Sequence, residues 1–453
     1  MGGAAPTPEL LLAEFAGTPK ALPEAVRAAG RRSLLNMVGT AIGGAGEAAI
    51  DRLAELSSGF GGAATTGLIG RRERADMLWA ACINAAAANI FDFDDTHVPT
   101  VIHPAAPVGP AVLALAELRA AEGRPVSGSA LLEAFVVGME ATCRLGNAAG
   151  SGHYARGWHI TSTCGIVGAA LAAGRLLGLA PPALADALGN ALAQAAGSVE
   201  TLGTMSKSLS VGQAARGGLM AALLAERGFA GPERPLTGRH GFFPLYSDAA
   251  EPSRLTDGLG SGWEVLNNTF KPYPCGVVLN PVIEACLALH AEGGFDPAAI
   301  VDVELTGHPL LRQRTDRPGV TSGRLAQVSA QHAVAVSLLR GIADLDAFSD
   351  RSVADPDLRA FGARLRFHDD PSCSLESARV RLTLADGREI VRSVEAARGG
   401  LERPMTDADL AAKLRAQVEW RGIDLAVDEL VEAIWGIEDA DDGAHFLALA
   451  RPR

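Results

Sequence analysis

The stretch 89–110, NIFDFDDTHVPTVIHPAAPVGP, crowds Asp92, Asp94, Asp95, Thr96, His97 and His103 into a turn-prone segment between alanine-rich runs. Further along stand His159 in GSGHYARGWHITSTCG (150–165), Lys207 in GTMSKSLSVG, Lys271 in KPYPCG and His332 in AQHAVAV. Lysines framed by glycine or proline turns bind carboxylates or phosphates. A histidine or aspartate nearby takes a proton from carbon when its pKa is tuned toward neutrality. The set therefore suits elimination, epimerisation or decarboxylation of a small polyanionic acid, steps that require no metal. Each residue also has a structural alternative. Asp94 or Asp95 can cap a turn, and His97 can be a surface turn residue. Lys207 can snorkel at a helix end, Lys271 can be a solvent-facing charge, and His332 can be a satisfied core histidine. His153, His240, His290, His308, His368 and His445 lack supporting neighbours in the sequence and are set aside.

Three weaker patterns point elsewhere. GTAIGGAG (39–46) has the glycines of a nucleotide loop but follows no clear strand. Ser206 beside Lys207 resembles a Ser–Lys nucleophile pair. An aspartate-rich turn in a helical protein suits Mg²⁺–diphosphate binding, as in terpenoid synthases, yet the D-x-D-D spacing has no second metal-binding motif on another helix.

The elements that must position these groups read mainly as helices. Residues 8–59 and 73–89 are helical by apolar spacing, with ATTGLIG (64–70) a short extended connector. Pro107 and Pro110 fit the first turn of a helix over 107–122, closed by Gly123. A helix over 128–148 leads into 150–165, read as a glycine-rich loop in which Thr161, Ser162 or Thr163 caps the helix running to about Leu177. Gly165, Gly168, Ala169 and Ala172 form a stripe that lets another helix approach closely, and 181–197 is helical. Lys207 stands at the N-terminus of a long helix, where backbone N–H groups and the dipole already favour an anion.

Residues 231–262, rich in Gly, Pro, Ser and Asp, read as a loop and a domain boundary. Beyond it, 300–307 alternates as a strand, 326–341 is a helix, and 378–395 is a hairpin turning at Asp386–Gly387. Segments 406–418, 427–435 and 442–449 return to helix. The expected architecture is mainly α: a large all-α domain (1–265), an inserted smaller α+β lid domain (266–404), and C-terminal helices (405–453) that rejoin the first domain.

Composition narrows the classes. A chain of 453 residues supports a large core. Hydrophobic residues are 48% and aromatics only 5%, which suits closely packed helices of small residues. A net charge of −12 with no basic block argues against nucleic acid as a partner. The six cysteines form no CxxC, which fits a reducing compartment and argues against a structural zinc site. Apolar runs break well before the ~20 residues a membrane span needs, and MGGAAPTPELLLAEF has no signal-peptide pattern. A cytoplasmic protein is expected.

Several separated stretches, taken in order, resemble the MmgE/PrpD family: FDFDDTH…HPAAPVGPA, HYARGWHITSTCGIVGAA, GTMSKSLSVGQAARGGLMAALLAERGF, KPYPCGVVLNPVIEA and QHAVAVSLLRG. That family includes 2-methylcitrate dehydratases, cis-aconitate decarboxylases and iminodisuccinate epimerases. The resemblance implies a helical domain with an inserted lid, a cleft between them, a homodimer, a small di- or tricarboxylate substrate, and no metal or organic cofactor. Position by position it makes catalytic candidates of Asp92, Thr96, His103, His159, Lys207 and Lys271. His332 joins them where many members carry tyrosine. Lys207 and Lys271, converging from the two domains, with Thr161 and Ser162, would hold carboxylates. Gly276 and Asn280 also depart from the family, at positions that are histidine or cysteine, and histidine, in other members. These departures count against cis-aconitate decarboxylation in particular. The expected reaction is dehydration: His159 or Asp92 takes the α-proton, and His103, oriented by the Asp92–Thr96 turn, protonates the leaving hydroxyl. Epimerisation or decarboxylation of a related acid is the alternative. A Mg²⁺-dependent helical lyase and a non-catalytic carboxylate-binding relative are more remote.

Overall fold

Alanine-rich segments become helices here because alanine loses no side-chain entropy on folding and lets neighbouring backbones approach. The computed structural model describes residues 6–19 and 21–452; the first five residues of the N-terminal stretch lie outside it. The chain divides into two units, Met1–Ile90, Asp94–Asn268 and Asp407–Arg453 forming one, Phe91–Phe93 and Thr269–Thr406 the other.

The first unit is built on the helices Glu24–Gly44, Met77–Asn89, Ala105–Ala121, Gly128–Ala155, Ile160–Leu176 and Met205–Glu226. Ile160–Leu176 runs through its centre, and the small-residue stripe does what its spacing predicts. A Cβ on Gly168 would collide with the Gly138 carbonyl and the Thr142 hydroxyl, so two backbones touch where this helix crosses Gly128–Ala155. On its other side a Cβ on Gly218 would sit 2.5 Å from the Ile166 carbonyl. The C-terminal helix Asp407–Arg421 packs on Glu24–Gly44, where buried Lys413 donates to Asn36 Oδ1 at 2.8 Å.

Local expectations fail where a distant partner intervenes. The helix predicted over 107–122 starts at Ala105, which leaves Pro110 inside it. Its N-cap residue is Pro104, which is itself in helical conformation (φ −73°, ψ −32°). The 150–165 loop shrinks to 156–159, because Gly128–Ala155 continues past a break at Gly150 (φ 67°, ψ −176°). Thr161, Ser162 and Thr163 are not caps; they lie inside the first turn of Ile160–Leu176, and His159 is the N-cap residue. The helix expected over 181–197 stops at Leu192, and 442–449 holds only a 3₁₀ turn, His445–Ala448. The first unit is not wholly helical, since Thr66–Gly67 pairs antiparallel with Arg74–Ala75. Segment 231–262 belongs to this unit: buried Arg144 donates to the carbonyls of Asp257 (2.8 Å) and Gly262 (2.7 Å) and pairs with buried Glu140 (2.6 Å).

The second unit is α+β. Its four-stranded sheet has the order Leu365–Asp369, Ile300–Gly307, Ala378–Leu384, Glu389–Val394. The first pairing is parallel and the other two antiparallel. Alternation buries Ile300, Val303, Leu305, Val380, Leu382 and Leu384 in one core with the helices Asn280–Glu292 and Ala330–Arg340. Among the described residues, no helix is long and apolar enough to cross a membrane.

Candidate active site

In the first unit the aspartate-rich turn folds back on itself. Extended Asp95–His97 leads to a reversal in which the His97 N–H bonds the Ile102 carbonyl at 2.8 Å and Val101 adopts φ 60°. His97 is not at the surface. It is fully buried, with Nδ1 2.7 Å from Thr100 Oγ1 and Nε2 3.0 Å from Glu264 Oε2. The hydrogen bond from His97 pulls the Glu264 carboxyl down to about 2, against desolvation. This clasp fixes the turn that presents His103.

His103 Nδ1 lies 2.7 Å from the Asp95 carbonyl oxygen, which can only accept. Nδ1 therefore carries the proton, and Nε2 is the acceptor in the neutral ring. Thr96 Oγ1 and Asp94 Oδ1 each stand 3.4 Å from the same nitrogen, and the His103 backbone N–H donates to Thr161 Oγ1 at 3.1 Å. Asp94 Oδ2 accepts from Asn89 (2.7 Å) and Asp95 Oδ2 from Asn268 (2.6 Å). Asp95 is pushed up to about 7, first by complete burial and then by neighbouring Asp94, against the hydrogen bond from Asn268. Within the first unit, Asp94, Asp95 and Thr96 all stand against His103 Nδ1.

His159 stands at the start of one helix and Lys207 near the start of another, and Ser210 links them. His159 Nδ1 is 2.8 Å from Ser162 Oγ and 3.2 Å from Ser210 Oγ, and the two hydroxyls are 2.7 Å apart. Ser210 donates to the Lys207 carbonyl at 2.7 Å. Lys207 is the third residue of Met205–Glu226 and is buried, which the snorkelling alternative does not accommodate. Ser162 and Ser210 line a cavity of about 220 Å³ with Gln194, Ser206 and Gln213. The first turn of Ile160–Leu176 thus serves both histidines, His103 through Thr161 and His159 through Ser162.

The remaining candidates lie in the second unit. Lys271 Nζ donates to the Asp92 carbonyl at 2.8 Å and stands 3.3 Å from its Oδ1, with Lys271 only 2% exposed; it is not a solvent-facing charge. Asp92 itself takes a left-handed conformation, φ 51°. His332 Nε2 is 2.7 Å from the Ala347 carbonyl and so donates there, and burial lowers its pKa; these are the bonds of a core histidine. A Cβ on Gly276 would find nothing nearer than 3.9 Å, so packing does not demand glycine there.

Several contributing residues were not singled out from the sequence: Asn89, Ser210, Glu264 and Asn268. Ser210 follows Lys207 at helical spacing, a signal that could have found it. His153 has partners after all: Nε2 meets Thr163 Oγ1 at 2.7 Å, Nδ1 meets the Tyr246 carbonyl at 3.1 Å, and burial drives its pKa down to about 4. It braces the 156–159 loop in the neutral state.

Residues 12–255 match the model of the MmgE/PrpD N-terminal domain and residues 273–436 that of the MmgE/PrpD C-terminal domain. A cis-aconitate decarboxylase of Aspergillus terreus is 30% identical over 412 residues, covering 84% of this chain and 83% of its own. The cis-aconitate decarboxylase of Mus musculus is 26% identical over 424 residues (91% and 86%), and that of Homo sapiens 28% over 384 (82% and 79%).

Proposed function

The chain belongs to the MmgE/PrpD family, and from that premise we propose that this enzyme is a lyase of a small tricarboxylate, with decarboxylation as its leading reaction and no cofactor. The curated relatives are cis-aconitate decarboxylases, which moves the leading reading from dehydration to loss of CO₂. The observation that carries the proposal is the helix start at Ile160, which holds His103 through Thr161 and His159 through Ser162, with Ser210, bonded to Ser162, donating to the Lys207 carbonyl.

In decarboxylation the bond to the departing carboxylate breaks and its electron pair spreads into the neighbouring unsaturated acid. A proton then returns to carbon. His103 suits the donor role, because Asp94 beside Nδ1 stabilises the ring in its protonated form. His159, backed by neutral hydroxyls, suits a hydrogen-bonding or base role. Lys207 would bind a carboxylate and offset the charge that develops. Lys271 and Asp92 enter as a carboxylate-binding lysine and the group that orients it.

Dehydration of a hydroxy tricarboxylate is the second reading. It is favoured by Gly276, which leaves room where other members carry a side chain, and by His332, whose Nε2 proton is committed to Ala347. A homodimer belongs to the same proposal: Leu202, Met205 and Leu209 leave an apolar patch at the start of the Lys207 helix that a second copy would cover. So does a cytoplasmic location.

Proton NMR in D₂O with cis-aconitate, citrate, 2-methylcitrate and iminodisuccinate tests the chemistry. CO₂ release from cis-aconitate with a new methylene signal supports the leading reading. An alkene formed from a hydroxy acid selects dehydration, and exchange without net conversion selects epimerisation. Turnover that survives both Lys207→Ala and His159→Gln overturns the assignment.

A further inference from the structure

A backbone carbonyl can only accept a hydrogen bond, and this sets the direction of the whole chain that ends at His159. Ser210 spends its single hydroxyl proton on the Lys207 carbonyl at 2.7 Å. Its oxygen is then an acceptor for Ser162, 2.7 Å away. Ser162, having given its proton to Ser210, is in turn an acceptor for His159 Nδ1 at 2.8 Å. Ser210 Oγ at 3.2 Å from Nδ1 offers that proton a second acceptor, in the same sense. We infer that Ser210 is a positioning residue that fixes His159 as the Nδ1–H tautomer, leaving Nε2 to accept a proton. The catalytic meaning of this rests on the lyase reading; the tautomer itself does not.

The arrangement assigns different work to the two histidines. Both carry hydrogen on Nδ1 at rest, but a carboxylate stands beside that nitrogen in His103 and the hydroxyls of Ser162 and Ser210 beside it in His159. A positive ring is stabilised at His103 and receives no such support from Ser162 or Ser210. His159 is therefore the resting acceptor of the pair. Ser162, read from the sequence as substrate-binding, works through His159 instead. Removing the Ser210 hydroxyl deprives Ser162 of its acceptor, so its proton can turn to His159 Nδ1 and move the ring to the Nε2–H form.

The test is ¹⁵N NMR of the full-length enzyme with labelled histidine and no substrate, the His159 signals being identified by their loss in His159→Gln. The wild type is expected to show a pyrrole-type Nδ1 and a pyridine-type Nε2. Ser210→Ala is expected to shift population toward the opposite pattern and lower kcat by roughly tenfold, the scale on which outer hydrogen-bond partners of functional histidines act, with a smaller change in KM. Ser210→Thr, which keeps the hydroxyl, restores both. A pyridine-type Nδ1 in the wild type overturns the inference without any variant having to fold. An unchanged pattern in a folded Ser210→Ala overturns it as well. Because the spectra need no turnover, failure of the lyase reading would leave this result standing on its own.

Discussion

Replacing Asp95 with asparagine should stabilise the protein, relative to wild type, by more above neutral pH than below it. The carboxyl is completely buried beside Asp94, and its pKa rises from 3.8 to about 7. In the unfolded chain the same group ionises near its ordinary value. Between those two values the folded state holds a proton that the unfolded state has lost, so stability falls as pH rises through the window, and the penalty is fully present above pH 7. At about 1.4 kcal/mol per pH unit, the three-unit gap sets a ceiling on the order of 4 kcal/mol, of which about 2–3 kcal/mol develops between pH 5 and pH 8. Water penetration and relaxation reduce this. Asparagine keeps an oxygen for the Asn268 donor and removes the titration. The His103 anchor survives, because His103 bonds the Asp95 carbonyl rather than its carboxyl. Urea unfolding of wild type and Asp95→Asn at pH 5 and pH 8 measures the effect. A wild-type-to-variant difference that is the same at both pH values would refute the reasoning.

Asp94→Asn should lower kcat about tenfold with little change in KM, since it removes the negative charge 3.4 Å from His103 Nδ1 while keeping the shape; steady-state kinetics decide, and an unchanged kcat would exclude Asp94 as the stabiliser of a protonated His103. Glu264→Gln should destabilise the fold at pH 7, with the difference from wild type fading as pH drops from 4.5 toward 2, where the His97-bonded carboxylate is itself protonated; thermal unfolding across that range reads it. Gly168→Val should cost several kcal/mol or abolish soluble expression, because the Gly138 carbonyl and Thr142 hydroxyl occupy the space of a side chain; circular dichroism melts compare it with Gly178→Val, whose Cβ meets nothing but whose φ of 73° exacts only backbone strain.

Much of the helical frame was readable because its signals are local. The strand 300–307, the hairpin at Asp386–Gly387 and the helix 427–435 stand where alternation, a turn pair and apolar spacing put them. What escaped was set by partners far away in sequence. Nothing near His97 announces Glu264, 167 residues on, which turns an apparent surface histidine into a buried clasp. At the site, Asp94, Asp95, Thr96 and His103 were legible as a group because one short turn holds them. Lys271 with Asp92 was not legible as an ion pair, since each looked locally like a turn residue.

Thr161 and Ser162 are consecutive residues of one helical turn; the first accepts the backbone N–H of His103 and the second meets the imidazole of His159. That turn belongs to a helix locked by backbone contact at Gly168 and Gly218, so it cannot slide or rotate to suit one ring without dragging the other. The two histidines are geared together. Descendants of this chain that shift from one acid to another would keep this gear untouched and diversify at positions such as Gly276, where the packing leaves latitude.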